Sequence, residues 1–197
     1  PYSLVNRPAD ELLEIYFNIV PHGPLSPRLA QLEAGDEVFV SDAANGFLTI
    51  EEVPECRHLW LLATGTGVGP FISILQSKSV WQRFEKVVLG YSVKELSELS
   101  YGDEVARLQQ QYNEQFAYMP FITREAVQGA LNKRIPVSID DGSFEEHTGI
   151  EINASDSHIM MCGNSAMISS AIERLEKRGL RKHRRREPGH ITTEKYH

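Results

Sequence analysis

The chain has 197 residues, 41% hydrophobic and 24% charged, with a formal net charge of −7, which is the make-up of a globular protein of one large or two small domains. No apolar run approaches the ~20 residues that span a bilayer, and no secretory leader opens the sequence. Cys56 and Cys162 lack metal-ligand spacing, so no metal is expected and a reducing cytoplasm fits.

In chain order, residues 1–53 read as strands with short connections. "YSLVN", "LEIYFNIV", "DEVFVSD" and "GFLTI" carry β-branched and aromatic residues. Between the second and third lies "GPLSPRLAQLEAGD", where Ser26 suits an N-cap, Pro27 a first helical turn and Gly35 a stop. The chain opens on Pro1 rather than Met and runs directly into strand, as a segment of a longer chain would.

From about His58 the pattern changes to strand–helix alternation. "HLWLLATG", "KVVLGYS", "AYMPFIT" and "SHIMMCG" are compact apolar strands, with helices expected over 69–77, 103–115 and 164–178. Asn164 can cap the last helix and Gly179 can end it. Such alternation predicts a parallel sheet covered on both faces, with ligands bound beyond the strands' carboxyl ends. Two glycine-bearing turns fall at such ends: Gly65-Thr66-Gly67-Val68-Gly69-Pro70 and Gly163-Asn164. The first opens a helix, a natural anion site, but its spacing follows the dinucleotide fingerprint only as far as Pro70.

One short stretch, "KRGLRKHRRR", gathers seven Lys and Arg within residues 177–186 of an otherwise acidic chain. It reads either as a solvated helix end, complementing the helix dipole, or as a docking patch for an acidic protein. The acidic remainder disfavours nucleic acid.

The motifs "PYSLVN", "GPLSPRL", "LATGTGVGPFISIL", "ITRE", "CGN" and "RREPGHITTEKYH" occur in the order found in the bacterial ferredoxin(flavodoxin)–NADP⁺ reductases, which the chain resembles from Pro1 to His197. The resemblance implies a two-domain β plus α/β fold. A truncated antiparallel FAD-binding β-barrel over 1–53 would precede a parallel-sheet α/β NADP-binding domain over 54–197, with a C-terminal tail reaching back to FAD as an extended surface segment. It implies FAD and NADP(H) as cofactors, ferredoxin or flavodoxin as acidic partners, no membrane, and a cytoplasmic monomer.

The same resemblance assigns Tyr2 to stacking on the flavin, the Ser3 hydroxyl to its N5 edge and the Thr66 hydroxyl to its ring, these three being the catalytic candidates. Pro1, Tyr2 and Ser3 belong to the flavin motif. Tyr16, Phe17, Asn18 and Ile19 would lie along the flavin and ribityl chain, and Pro24, Leu25 and Ser26 would form the pyrophosphate turn. Lys94, Thr123, Arg124 and Arg134 are the expected 2′-phosphate side of the NADP site. Met160, Met161, Cys162, Gly163 and Asn164 would face nicotinamide and ribose. Tyr196 and His197 would close the chain near FAD, with His197 standing where relatives often carry Trp. The alternatives are an NADPH-dependent reductase component of an oxygenase, whose usual iron–sulfur cysteine cluster is absent, and a nucleotide-binding fragment without redox activity.

Overall fold

The computed structural model describes residues 2–7, 9–43 and 46–196. Its elements in chain order are α1 (Ser26–Leu29), β1 (His58–Thr64), α2 (Gly69–Leu75), α3 (Lys78–Arg83), β2 (Lys86–Val93), α4 (Gly102–Gln111), β3 (Phe116–Ile122), α5 (Ile135–Asp140), α6 (Ser143–Thr148), β4 (Ser157–Asn164), α7 (Ser165–Lys177) and β5 (Ile191–Tyr196). The five strands form one wholly parallel sheet in the order β3-β2-β1-β4-β5.

Strands buried on both faces read as unbroken apolar runs, because successive side chains point to opposite sides. Leu59, Leu61 and Ala63 join Val87, Leu89 and Tyr91 in one core layer with Phe71, Leu75, Trp81 and Leu108 from α2, α3 and α4. Trp60 and Leu62 enter the other, with Ile159, Ile135, Ile139, Phe144, Ile168 and Leu175. The expected helix α7 forms as read: the Asn164 side chain accepts from the Ala166 and Met167 N–H groups. It stops at Gly179, whose φ is +82°, and Leu180 N–H returns to Leu175 O.

Three expectations change. The segment before His197 is not an extended surface tail: Ile191–Tyr196 is the fifth strand, in register with Ile159–Asn164. Among the described residues, 2–53 contain no laddered strand, only the antiparallel bridge Leu4↔Ile15. Extended chain becomes sheet only where a neighbouring strand takes its N–H and C=O groups, and among the described residues segments 13–20 and 36–42 meet no ladder partner beyond that bridge. Phe39 accordingly stands fully exposed at 105% and Leu12 at 84%. Ser26 does not cap α1 either. Leu25 holds the N-cap position without a side-chain bond, and the Ser26 hydroxyl instead accepts the Val20 N–H at 2.9 Å.

Residues 2–53 are nevertheless anchored. Val5 is buried beside Gly69, and Ser73 donates to Asn6 O at 2.8 Å. The Tyr16 hydroxyl meets Ser100 Oγ at 2.6 Å, and Tyr101 donates to Glu14 at 2.8 Å. Arg83 binds the carbonyls of Ile50, Val53 and Pro54.

Candidate functional site

All five strands end at one edge of the sheet, and the glycine turns lie there. Residues Gly65–Val68 form a single 3₁₀ turn leading into α2, with Pro70 in the helix's first turn. The turn packs on the end of β4. A Cβ at Gly67 would lie 2.5 Å from Cys162 O. At Gly163 (φ +126°), a Cβ would overlap the Thr64 hydroxyl and sit 2.7 Å from Thr64 O. These glycines therefore permit chain-to-chain contact, beyond any approach to a ligand. Thr64, which the sequence reading passed over, accepts the Asn164 N–H on its hydroxyl at 2.8 Å and ties the β1 end to the start of α7.

Beside this contact a polar chain crosses from the first residues to the last strand. Ser3 Oγ donates to Glu194 Oε1 at 2.7 Å and accepts from the Tyr196 hydroxyl at 2.9 Å. Tyr196 also lies against Cys162. Burial pushes the Cys162 thiol up to about 12, so it stays protonated at neutral pH and is no nucleophile. Glu194 escaped notice in the sequence because its segment was not read as a strand. Tyr2 packs edge-on against Phe17, ring centroids 5.8 Å apart, and remains partly exposed. The half-buried Thr66 hydroxyl has no hydrogen-bond partner among the described residues.

Met160 and Met161 correct the expectation that they face the ligand edge. Strand alternation sends Met160 into one core layer and Met161 into the other, both fully buried. Cys162 is likewise fully buried, in the layer that holds Met160, so only the last residues of β4, Gly163 and Asn164, reach the edge, and the Asn164 carboxamide oxygen is committed to capping α7.

The basic candidates sit beyond β2 and β3. Thr123 N–H donates to Val93 O and Arg124 N–H to Lys94 O, at 3.1 and 2.9 Å, with Thr123 Oγ1 also donating to Val93 O. Arg134 holds the N-cap position of α5. Lys94, Arg124 and Arg134 are exposed, and none of their side-chain nitrogens has a partner among the described residues. The neighbouring carboxylates face the backbone instead: Glu98 accepts Lys94 N–H at 2.9 Å and Glu125 accepts Leu96 N–H. Three fixed positive charges without counter-charges, at strand carboxyl ends, are suited to a phosphate.

The remaining flavin-side candidates lie on the first segment. The backbone of Phe17, Asn18 and Ile19 belongs to no helix or strand and has no hydrogen-bond partner among the described residues. Pro24 and Leu25 are exposed before α1, and the N–H groups of Leu25 and Ser26 are likewise unpartnered. Pro1 and His197 fall outside the described residues.

The basic stretch 177–186 is not brought to this edge. It follows α7, which runs back from the site, and it lines up with the start of β5, where Lys182 bridges Ile191. Two of its cations are used internally. Arg178 pairs with Glu145 at 2.6 Å, while Arg185 pairs with Glu52 at 2.5 Å and covers the Phe47 ring at 4.3 Å.

A parallel α/β sheet whose carboxyl edge joins free cations to a polar Ser–Glu–Tyr chain defines a nucleotide-binding oxidoreductase unit, and the profile of the oxidoreductase NAD-binding domain matches residues 61–173. The flavodoxin/ferredoxin–NADP reductase of Buchnera aphidicola subsp. Schizaphis graminum is 39% identical over 196 residues, covering 99% of this chain and 76% of the relative. That of Escherichia coli K12 is 43% identical over 167 residues, covering 85% and 67%. A ferredoxin NADP⁺ reductase from Neisseria gonorrhoeae, solved with bound FAD and NADP, superposes with a TM-score of 0.92 at 33% identity, covering 98% of this chain and 78% of that one. The chain belongs to the flavodoxin/ferredoxin–NADP reductase family.

Proposed function

We propose that the protein carries electrons between NADPH and ferredoxin or flavodoxin by way of FAD, acting as a monomer in the cytoplasm. The observation that carries this reading is the pairing, along one sheet edge, of three unpartnered cations beyond β2 and β3 with the Ser3–Glu194–Tyr196 chain beside β4 and β5. FAD, when bound, supplies the acceptor of a hydride and the donor of single electrons. The residues present fit it: an unpartnered Phe17–Ile19 backbone, an aromatic ring at Tyr2 and a free Thr66 hydroxyl are groups that a flat heterocycle and its polar chain would satisfy.

In this reading, residues 1–53 hold the flavin and 54–197 the coenzyme. Tyr2 provides flat apolar contact. Ser3, whose hydroxyl donates to Glu194 and accepts from Tyr196, is held in one orientation beside the flavin edge. Leu25 and Ser26 offer N–H donors to a pyrophosphate, and Arg124, Arg134 and Lys94 hold the 2′-phosphate that distinguishes NADPH from NADH. Thr123 anchors the Arg124 loop to β2, while Cys162 to Asn164 shape the nicotinamide side.

The test is NADPH-dependent reduction of purified ferredoxin and flavodoxin by the FAD-supplemented protein, with flavin fluorescence titrated in parallel. Saturable FAD binding and reduction at least tenfold faster with NADPH than with NADH are expected. Reduction indifferent to the coenzyme, or absence of flavin binding, would remove the assignment.

A further inference from the structure

Asn132 lies outside every motif of the sequence analysis, yet its carboxamide joins the two ends of the loop that carries both arginines. Asn132 Nδ2 donates to Ile122 O at 2.7 Å and to Glu125 O at 2.7 Å. Both partners are carbonyl oxygens, so only the NH₂ end of the carboxamide can face them, and its two hydrogens match two acceptors. These carbonyls bracket Arg124: one closes β3 two residues before it, and the other follows it directly. Asn132 itself stands two residues before Arg134 and next to Leu131, whose N–H donates to Pro120 O and whose carbonyl accepts Ile122 N–H. The 124–134 loop is thereby closed at its neck by the Leu131 backbone and braced across Arg124 by the Asn132 side chain, with a guanidinium at either end.

The same neck is tied to the third cation, since Arg124 N–H donates to Lys94 O and the Glu125 carboxylate takes Leu96 N–H. Free arginines on a loose loop would lose much of their affinity for a phosphate to the cost of ordering them; a braced backbone removes that cost in advance.

We propose that Asn132 is a positioning residue for coenzyme selection: it makes no contact of its own with the ligand, but it sets the separation of Arg124 and Arg134 so that both can engage one 2′-phosphate. The inference rests on the reading of Lys94, Arg124 and Arg134 as the phosphate site. It makes Asn132 necessary for phosphate discrimination and dispensable for the rest of the coenzyme.

The experiment measures binding of 2′,5′-ADP and of 5′-AMP to the protein by calorimetry, with steady-state NADPH and NADH kinetics alongside, for Asn132→Leu, Asn132→Ala and Arg124→Ala. Leu nearly matches Asn in shape without its donors, and Ala removes the bulk, so agreement between them isolates the lost hydrogen bonds. Both Asn132 variants lose two bracing bonds, part of whose effect reaches the phosphate site, and should weaken 2′,5′-ADP by about three- to tenfold and leave 5′-AMP unchanged. KM for NADPH should rise by the same factor while kcat and the NADH parameters hold. A residue that merely supports the fold would weaken both nucleotides together or lower kcat, and that result overturns the proposal. So does unchanged 2′,5′-ADP affinity in either Asn132 variant when Arg124→Ala weakens it selectively. If Arg124→Ala itself fails to discriminate the two nucleotides, the phosphate-site reading fails first and takes the Asn132 role with it.

Discussion

The two edges of the sheet differ in which of their cations are paired. At the amino edge, Arg57 pairs with Glu85, Arg83 is spent on three carbonyls, and Arg185 is taken by Glu52. At the carboxyl edge, Lys94, Arg124 and Arg134 stand free while the adjacent Glu98 and Glu125 turn to backbone N–H groups. Buried histidine belongs to the amino edge as well: His158 sits beside His183, His190 and Arg83 with its Nε2 against Thr192 Oγ1 at 2.9 Å. The difference teaches that local cation density does not mark the functional face. Unpaired cations stand at both edges, Arg184 and Arg186 at the amino one, so what sets Lys94, Arg124 and Arg134 apart is their place at the strands' carboxyl ends, where parallel sheets bind ligands.

The largest effect expected at the carboxyl edge comes from closing its tightest contact. Gly163→Ala sets a Cβ against Thr64 O and its hydroxyl, at a φ of +126° that no L side chain adopts comfortably. Backbone must move at both β1 and β4, so a loss of ~3–5 kcal/mol is expected in denaturant unfolding. A loss under ~1 kcal/mol would mean that the two strand ends are not interlocked.

The amino edge is where acid should act first. Burial, with His183 and His190 adding to it, lowers His158 to about 3. The folded state therefore keeps this imidazole neutral while the unfolded chain takes up a proton below about 6.5. The sign follows: the unfolded state binds more protons, so stability falls as pH falls, by roughly 1.4 kcal/mol per pH unit between about 6.5 and 3. Carboxylates held down by cations, such as Asp141 at about 2 beside Lys133, contribute only below their own unfolded values near 4. His158→Gln, which can keep a bond to Thr192, should flatten unfolding midpoints between pH 6.5 and 4.5 and leave below about 4 only the fall that the carboxylates contribute. An unchanged slope would show that His158 is not the group responsible.

How far these edges could be read beforehand depended on what fixes each residue. The three central strands, β1, β2 and β4, were legible because burial on both faces leaves an unbroken apolar run, the edge strand β3 because aromatic and apolar residues dominate it, and α7 because Asn164 and Gly179 punctuate it. Ile191–Tyr196 was not, since it is an edge strand of mixed polarity, buried only at Ile191 and Thr192. Missing that strand hid Glu194. The first segment was over-read for the converse reason, β-branched composition without a pairing partner. Arg124 and Arg134 stand out through a motif, with their phosphate role proposed, whereas Asn132 and Thr64 bond single backbone groups distant in sequence and leave no pattern.

The comparison is sharpened at intermediate scale by Arg124→Ala. Removing one charge-assisted contact to a 2′-phosphate should cost ~1.5–3 kcal/mol in kcat/KM for NADPH and almost nothing for NADH. Equal losses with both coenzymes would make Arg124 a structural residue like Arg83.

The smallest effect is expected from Arg184→Gln with Arg186→Gln, and it decides what the basic stretch does. These residues flank the start of β5, whose six residues separate them from Tyr196 by about 20 Å of strand. Screening confines the influence of exposed charge to ~10 Å at 0.1 M salt. A protein acceptor docked over the Ser3–Tyr196 region would therefore feel them weakly, and reduction of ferredoxin or flavodoxin should change less than about twofold at that ionic strength. Arg185→Gln is the informative contrast. It releases Glu52 and uncovers Phe47, loosening the 46–53 segment, so ferricyanide and the protein acceptor should slow together. A loss confined to the protein acceptor in the Arg184/Arg186 double variant, steepest at low salt, would reverse the conclusion. The amino edge would then hold the docking surface, and its unpaired cations would be recruiting a partner across the length of the sheet.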